Sequence, residues 1–275
     1  MKELYIFVDS ERPDQYVNSV LHCALDQDVR GITFLHIKRL TSGEGSRENY
    51  GLSARVLAAV QAQIEYLAER HEYVSRIDGE RDVRADLRAI YGEERAKEIA
   101  ALYRRFRQLP MSFANREIEY SELRAVLAQI AAKKSEALLD ITAVKKRYLG
   151  DIVSAGLVEG VMGLWTFDLT IEKPDFSQPW KMLIHDLMDD KGAAHFQYTN
   201  VLNTETYKAC RRLVFVRSPR YRLVAGVTIG LLIIGGVGFY LLGENSALVK
   251  SILAASGIAS IVSLLLVFWS PRSAL

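Results

Sequence analysis

Short apolar runs that stop at polar clusters, each followed by residues at helical spacing, constrain this chain more than any other feature. The run LYIFV, residues 4–8, is rich in β-formers and ends at Asp9-Ser10-Glu11-Arg12-Pro13. Residues 14–25 then place Tyr16, Val17, Val20, Leu21, Ala24 and Leu25 at the spacing of one helix face. GITFLHI, residues 31–37, repeats the strand signal and ends at Lys38-Arg39 and a loop from Thr41 to Ser46. Strands that are apolar throughout are covered on both faces, and strands separated by helices pair in parallel. The expectation is an α/β chain built on a parallel sheet.

From Ser53 to Gln108 the pattern changes to long mixed-charge helices broken near Asp78-Gly79, a helical insertion of about 52–110. Tyr91, Ile99, Leu102, Tyr103 and Phe106 give it an apolar stripe, and Arg104, Arg105 and Arg107 sit where they complement a helix dipole. Tyr120 to Lys134 is predicted helical with Ser121 as its N-cap. A strand over Ala137–Thr142, a helix over Lys146–Glu159 and a strand over Gly163–Leu169 follow. Residues 174–206 carry no clear period.

The chain ends in two charge-free runs, Leu223–Gly243 and Ser251–Trp269. About twenty helical residues cross the roughly 30 Å hydrocarbon core of a bilayer, so 223–270 is expected to be a two-helix transmembrane hairpin. The flank 211–222 carries five arginines and no acid, and Arg272 follows the second run. Arginine-rich flanks stay on the cytoplasmic side, which places both chain ends in the cytoplasm of a bacterial inner membrane, with membrane lipids as partners. Gly226 and Gly230 form a GxxxG, and Ala255 and Ala259 repeat at four-residue spacing. Small residues let membrane helices approach closely, within one hairpin or between hairpins of several chains.

A soluble part of residues 1–210, joined through the basic linker 211–222, leaves the chemistry to loops at the strand ends. Ligands of open α/β sheets bind outside the carboxyl ends of the strands, which here means Asp9–Arg12, Lys38–Ser46, Asp140–Lys146 and Thr166–Asp168. The third is the most informative. Thr142 offers a hydroxyl, Lys145 and Lys146 can neutralise a phosphate, and the following helix points its positive end at the same place. The alternative is structural, with Asp140 capping the turn and the lysines in solvent.

The order acidic residue, helix, apolar strand, Asp-Ile-Thr-x-x-x-Lys, helix and strand, over Glu117–Thr170, resembles the CRISPR-associated Rossmann-fold (CARF) sensor domains. In that family the strand ends in a Thr-Gly-Gly-Thr-Lys-like motif and a dimer binds cyclic oligoadenylates. Ala143 and Val144 stand where the family has its two glycines; a SAVED-like or other nucleotide-sensing relative would look similar. The resemblance implies a Rossmann-like sheet, a homo-oligomer and a nucleotide second messenger as ligand. It implies ligand contacts from Thr142 and from Lys145 or Lys146, with Asp9 and Ser10 lining the pocket; Ala143, and Glu11, Arg12, Lys38, Thr41 and Ser42 of the strand-end loops, complete the candidate ligand-binding set. The function then expected is a cyclic-oligonucleotide-sensing effector that disrupts or depolarises the inner membrane during antiviral defence. A membrane-tethered nucleotide-processing enzyme and a passive membrane-anchored scaffold are the alternatives.

No P-loop, G-x-S-x-G, HExxH or C-x-x-C motif occurs, so no catalytic residues, metal or cofactor are expected; slow ligand hydrolysis in the sensor pocket is the exception left open. His185 with Asp186, Asp189 and Asp190 is the one cluster with metal-binding or phosphodiester-cleaving composition, and solvated acids are its simpler reading. The net charge of +2 does not point to direct DNA or RNA binding. Cys23 and Cys210 read as inert thiols of a reducing compartment.

Overall fold

The computed structural model describes residues 1–38, 51–75, 83–171, 173–175, 177–188 and 194–210, together with residues 226, 230, 233 and 237. The chain divides into two compact units, Met1–Leu202 and Asn203–Leu275.

The first unit is built on a six-stranded sheet. Strand β1 (Lys2–Val8) leads into α1 (Asp14–Asp26) and β2 (Val29–Ile37). The crossover from β2 carries α2 (Leu52–Glu65), a π-helical turn (Tyr66–Arg70), β3 (Glu72–Ser75), β4 (Val83–Asp86), α3 (Leu87–Tyr91) and α4 (Glu93–Arg107). Then come β5 (Ser112–Ile118), α5 (Leu123–Ala132), β6 (Ala137–Asp140), α6 (Lys146–Glu159), β7 (Leu164–Leu169) and β8 (Phe196–Asn200). The order across the sheet is β5-β2-β1-β6-β7-β8. All neighbours are parallel except β7 and β8. Counting only sheet strands, this is the 3-2-1-4-5-6 order of doubly wound folds. The expected parallel sheet is therefore present.

Period-two alternation divides the strand residues between two layers. Leu4, Ile6, Val8, Ile32 and Phe34 join one buried cluster with α1, α2 and α4. Tyr5, Phe7, Leu35 and Leu139 are buried outside that cluster. So are Val126, Leu127 and Ile130 of α5 and Ile152 of α6, and those two helices pack on each other. Continuous apolar strands are what a sheet covered on both faces requires.

Several local expectations change. The insertion contains an antiparallel hairpin, β3 with β4, where sequence pattern suggested helices alone; the expected break at Asp78-Gly79 lies outside the described residues. Strand β5 has no apolar run because it is an edge strand with mostly exposed side chains. Its one carboxylate, Glu117, does the anchoring instead. Glu117 accepts from the Ser53 N–H at 3.1 Å and the Ser53 hydroxyl at 2.7 Å, and pairs with His36 Nδ1 at 2.7 Å. Burial works against that charge, but the Ser53 and His36 contacts outweigh it and hold the Glu117 carboxyl below its ordinary range. A Glu119/Glu122 box caps the 3-10 turn Tyr120–Glu122 that leads into α5, and α5 itself starts at Leu123 with Glu122, not Ser121, at its N-cap position and no side-chain cap.

The two-helix transmembrane hairpin is corrected. Among the described residues no helix is long and apolar enough to cross a membrane. Helix α4, at 15 residues, spans about 22 Å at 1.5 Å per residue, short of the roughly 30 Å needed, and it is strongly charged. The architecture described is the α/β sheet without a hairpin. Of 223–270, Gly226, Gly230, Ile233 and Val237 are described, as helical residues. The rest of that range, including Ala255 and Ala259, and the linker 211–222 lie outside the described residues. A Cβ added at Gly226 or Gly230 meets nothing within 4 Å.

Candidate functional site

The strand order reverses between β1 and β6, and connections leave the sheet in opposite directions there. That arrangement opens a crevice at the carboxyl ends of the two strands. A cleft of about 590 Å³ lies there, within the range of small-molecule sites. Asp9, Ser10 and Arg12 line it from the β1–α1 loop, and Asp14, Gln15 and Asn18 from α1. Thr142, Ala143, Val144, Lys145 and Lys146 line it from the β6–α6 connection. Phe167 and Leu169 of β7, with Pro179 and Met182, form an apolar wall.

The β1–α1 loop owes its shape to Tyr16, which is fully buried. Its phenolic oxygen accepts from the backbone N–H groups of Asp9 at 3.1 Å and Ser10 at 3.2 Å, and its hydroxyl donates to the Ser10 carbonyl at 2.9 Å. Both amides that a glycine-rich loop would turn toward a phosphate are thus already occupied. This loop offers side chains to a ligand. Asn18 fixes the opposite wall. Its Nδ2 donates to the Met182 carbonyl at 2.7 Å, and its Oδ1 accepts from the Ile184 N–H at 2.8 Å.

The β6–α6 connection is held from below. Asp140 is buried at the end of β6; its Oδ1 accepts from the Thr142 N–H at 2.8 Å and its Oδ2 from the Tyr198 hydroxyl at 3.0 Å. Burial pushes the Asp140 carboxyl up from its ordinary range. Thr142 Oγ1 in turn accepts from the Phe167 N–H at 2.8 Å. Asp140 therefore plays the capping part foreseen in the structural alternative, and Thr142 bridges two strands while lining the cleft.

Helix α6 begins with its charges the wrong way round for a free helix. No side chain caps it, and its first turn contains no acid. Lys145, Lys146 and Arg147 instead stand in succession where the helix dipole is already positive. Lys145 Nζ pairs with Asp9 Oδ2 at 2.7 Å, which offsets one of those charges. An anion in the cleft would offset the rest.

The structure brings Asp9, Ser10, Arg12, Thr142, Ala143, Lys145 and Lys146 into one cleft. Two expected residues point elsewhere: Glu11 pairs with Arg55 at 2.6 Å, and Lys38 with Glu119 at 2.8 Å, and neither lines the cleft. Thr41 and Ser42 lie outside the described residues. Gln15 and Asn18 also line the cleft; the sequence does not mark them, because a lone amide between the apolar positions of a helix carries no signal of a site. Nor does it mark Pro179 and Met182, whose segment has no period.

His185 is fully enclosed, its Nδ1 2.8 Å from the Tyr103 hydroxyl, while Asp186 accepts from the Tyr91 hydroxyl at 2.6 Å. Asp189 and Asp190 lie outside the described residues. Burial, aided by nearby Arg95, lowers the His185 pKa to about 3. Unfolded, the same ring takes a proton near 6.5. The unfolded chain therefore binds more protons between those values, and stability falls by up to about 1.4 kcal/mol per pH unit as pH drops through that window. The His185→Phe variant is expected to show a flatter stability profile than the parent between pH 7 and pH 4, as measured by urea unfolding at each pH. Equal slopes for the two proteins would remove His185 as the cause.

No protein-family model matches the chain, and no curated protein or solved structure matches it either.

Proposed function

We propose that the β-sheet unit is a nucleotide sensor whose ligand places a phosphate against Lys145, Lys146 and the amino end of α6. The observation that carries this is the pair of lysines, Lys145 and Lys146, at an uncapped helix start, both lining a cleft at the strand-order reversal. Backbone N–H groups and the dipole at a helix amino end attract anions, and an anion there would offset the cost of about 0.3–1 kcal/mol that each lysine carries at that end. The apolar wall of Phe167, Leu169, Pro179 and Met182 suits a base or sugar face. Arg12, Lys145 and Lys146 against Asp9 and Asp14 line the cleft, a balance suited to one phosphodiester of a ligand and poorly suited to the concentrated charge of a triphosphate. That agrees with the resemblance of Glu117–Thr170, with its Asp140–Lys146 motif, to cyclic-oligonucleotide sensors, so cyclic oligoadenylates are the first ligands to try.

Calorimetry on the full chain tests this with cyclic oligoadenylates of several ring sizes, 5′-AMP, ATP and adenosine. The expected result is binding of at least one phosphodiester or monophosphate, weaker binding of ATP, and none of adenosine. Binding of adenosine as tightly as its phosphates, or of no compound, would overturn the reading.

A further inference from the structure

We propose that Asp9 is a built-in competitor for the ligand phosphate and thereby sets how tightly the cleft binds. This deepens the nucleotide-sensor reading and rests on it. The Asp9 carboxylate reaches across the crevice from the end of β1 and takes Lys145, on the far side, at 2.7 Å. Both side chains are partly sheltered, at 20% and 35% exposure, so the pair is less screened than one in open solvent. Asp9 is also poorly placed to move away with its loop, because Tyr16 holds the backbone of Asp9 and Ser10 through three hydrogen bonds. The exchange is therefore local. A phosphate oxygen takes the Lys145 ammonium, and the carboxylate swings free without the loop unfolding. Only an anion can drive that exchange, since a neutral nucleoside has nothing to offer Lys145 in place of Asp9. The ion pair thus discriminates phosphorylated from unphosphorylated ligands while the cleft is empty. It also links the two walls, so ligand entry releases a tie between the β1–α1 loop and α6.

The test is a double-mutant cycle on the full chain, with 5′-AMP and a cyclic oligoadenylate as probes, in the parent, Asp9→Asn, Lys145→Gln and the combined variant. Removing the competitor should tighten binding about threefold to fivefold, the size of a partly exposed ion pair's coupling. Lys145→Gln should weaken it about tenfold or more. In the combined variant the Asp9→Asn gain should vanish, because its effect runs through Lys145. Binding by the parent with no gain, or a loss, in Asp9→Asn overturns this inference alone and makes Asp9 a ligand contact or a bystander. Binding of neither probe by parent or Asp9→Asn overturns the nucleotide reading with it.

Discussion

Exchanging Lys145 and Lys146 together for glutamine should weaken binding of the phosphorylated ligand by about a hundredfold. A hydrogen bond to a charged group contributes about 1.5–3 kcal/mol, and each tenfold step in affinity is about 1.4 kcal/mol. Losing two such contacts at the lower end of that range, as suits side chains open to solvent, therefore costs about two orders of magnitude. Folding should survive, because Lys146 is exposed and Lys145 is only partly covered. The unfolding midpoint could even rise, since two cations leave the positive end of α6. Calorimetry and thermal unfolding on the same samples separate the two effects. Arg104→Ala with Arg105→Ala is the control, on residues outside the cleft. Affinity unchanged in the lysine variant would leave α6 as a helix with misplaced charges and no ligand to explain them. Thr142→Val is a poorer test than it looks from sequence, because Thr142 Oγ1 is also the acceptor for the Phe167 N–H.

Asp140→Ala should lower stability by about 2 kcal/mol, since it leaves the Tyr198 hydroxyl and the Thr142 N–H, both partly buried, without their acceptor. Asp140→Asn keeps an acceptor oxygen and removes the charge, so its behaviour with pH is informative. Burial raises the folded-state pKa of Asp140 above the ordinary 3.8. The stability this carboxyl contributes is then fully present below 3.8 and shrinks as pH rises through the folded value. Relative to the parent, Asp140→Asn should therefore gain stability between pH 4 and pH 7. Chemical unfolding at both pH values checks this, and a loss on going to pH 7 would contradict the burial argument.

The elements that sequence pattern found are those with two buried faces or one strong helical stripe. Helix α6 begins and ends at Lys146 and Glu159 as expected, and β1 and β2 fall where LYIFV and GITFLHI placed them. What escaped was decided by long-range partners. Strand β5 is polar and exposed, and nothing in SFANREI reveals that β2 will pair with it. Strand β8 lies at the other edge, where stacking of Trp165 on Tyr198 and Phe167 on Phe196 secures it. In the cleft, the loops were legible because polar residues after an apolar strand mark its carboxyl end. The Asp9–Lys145 pair was not, since it joins residues whose proximity follows only once β1 and β6 are neighbours. The same holds for the apolar wall, which depends on Asn18 meeting a segment 164 residues away.

The placing of β1 between β2 and β6 also has a consequence for the nascent chain. As residues leave the ribosome, β1 can pair with β2 almost at once. Its other edge must wait until Ala137–Asp140 arrive, with the whole α2–α4 crossover made in between. During that interval a row of unpaired amide and carbonyl groups on a strand that is apolar from Leu4 to Val8 stands open, the kind of edge that recruits foreign strands. Early packing of α1 covers a face of β1 but not that edge. The protein's yield should thus depend on how quickly translation passes the crossover and how many copies are being made at the same time.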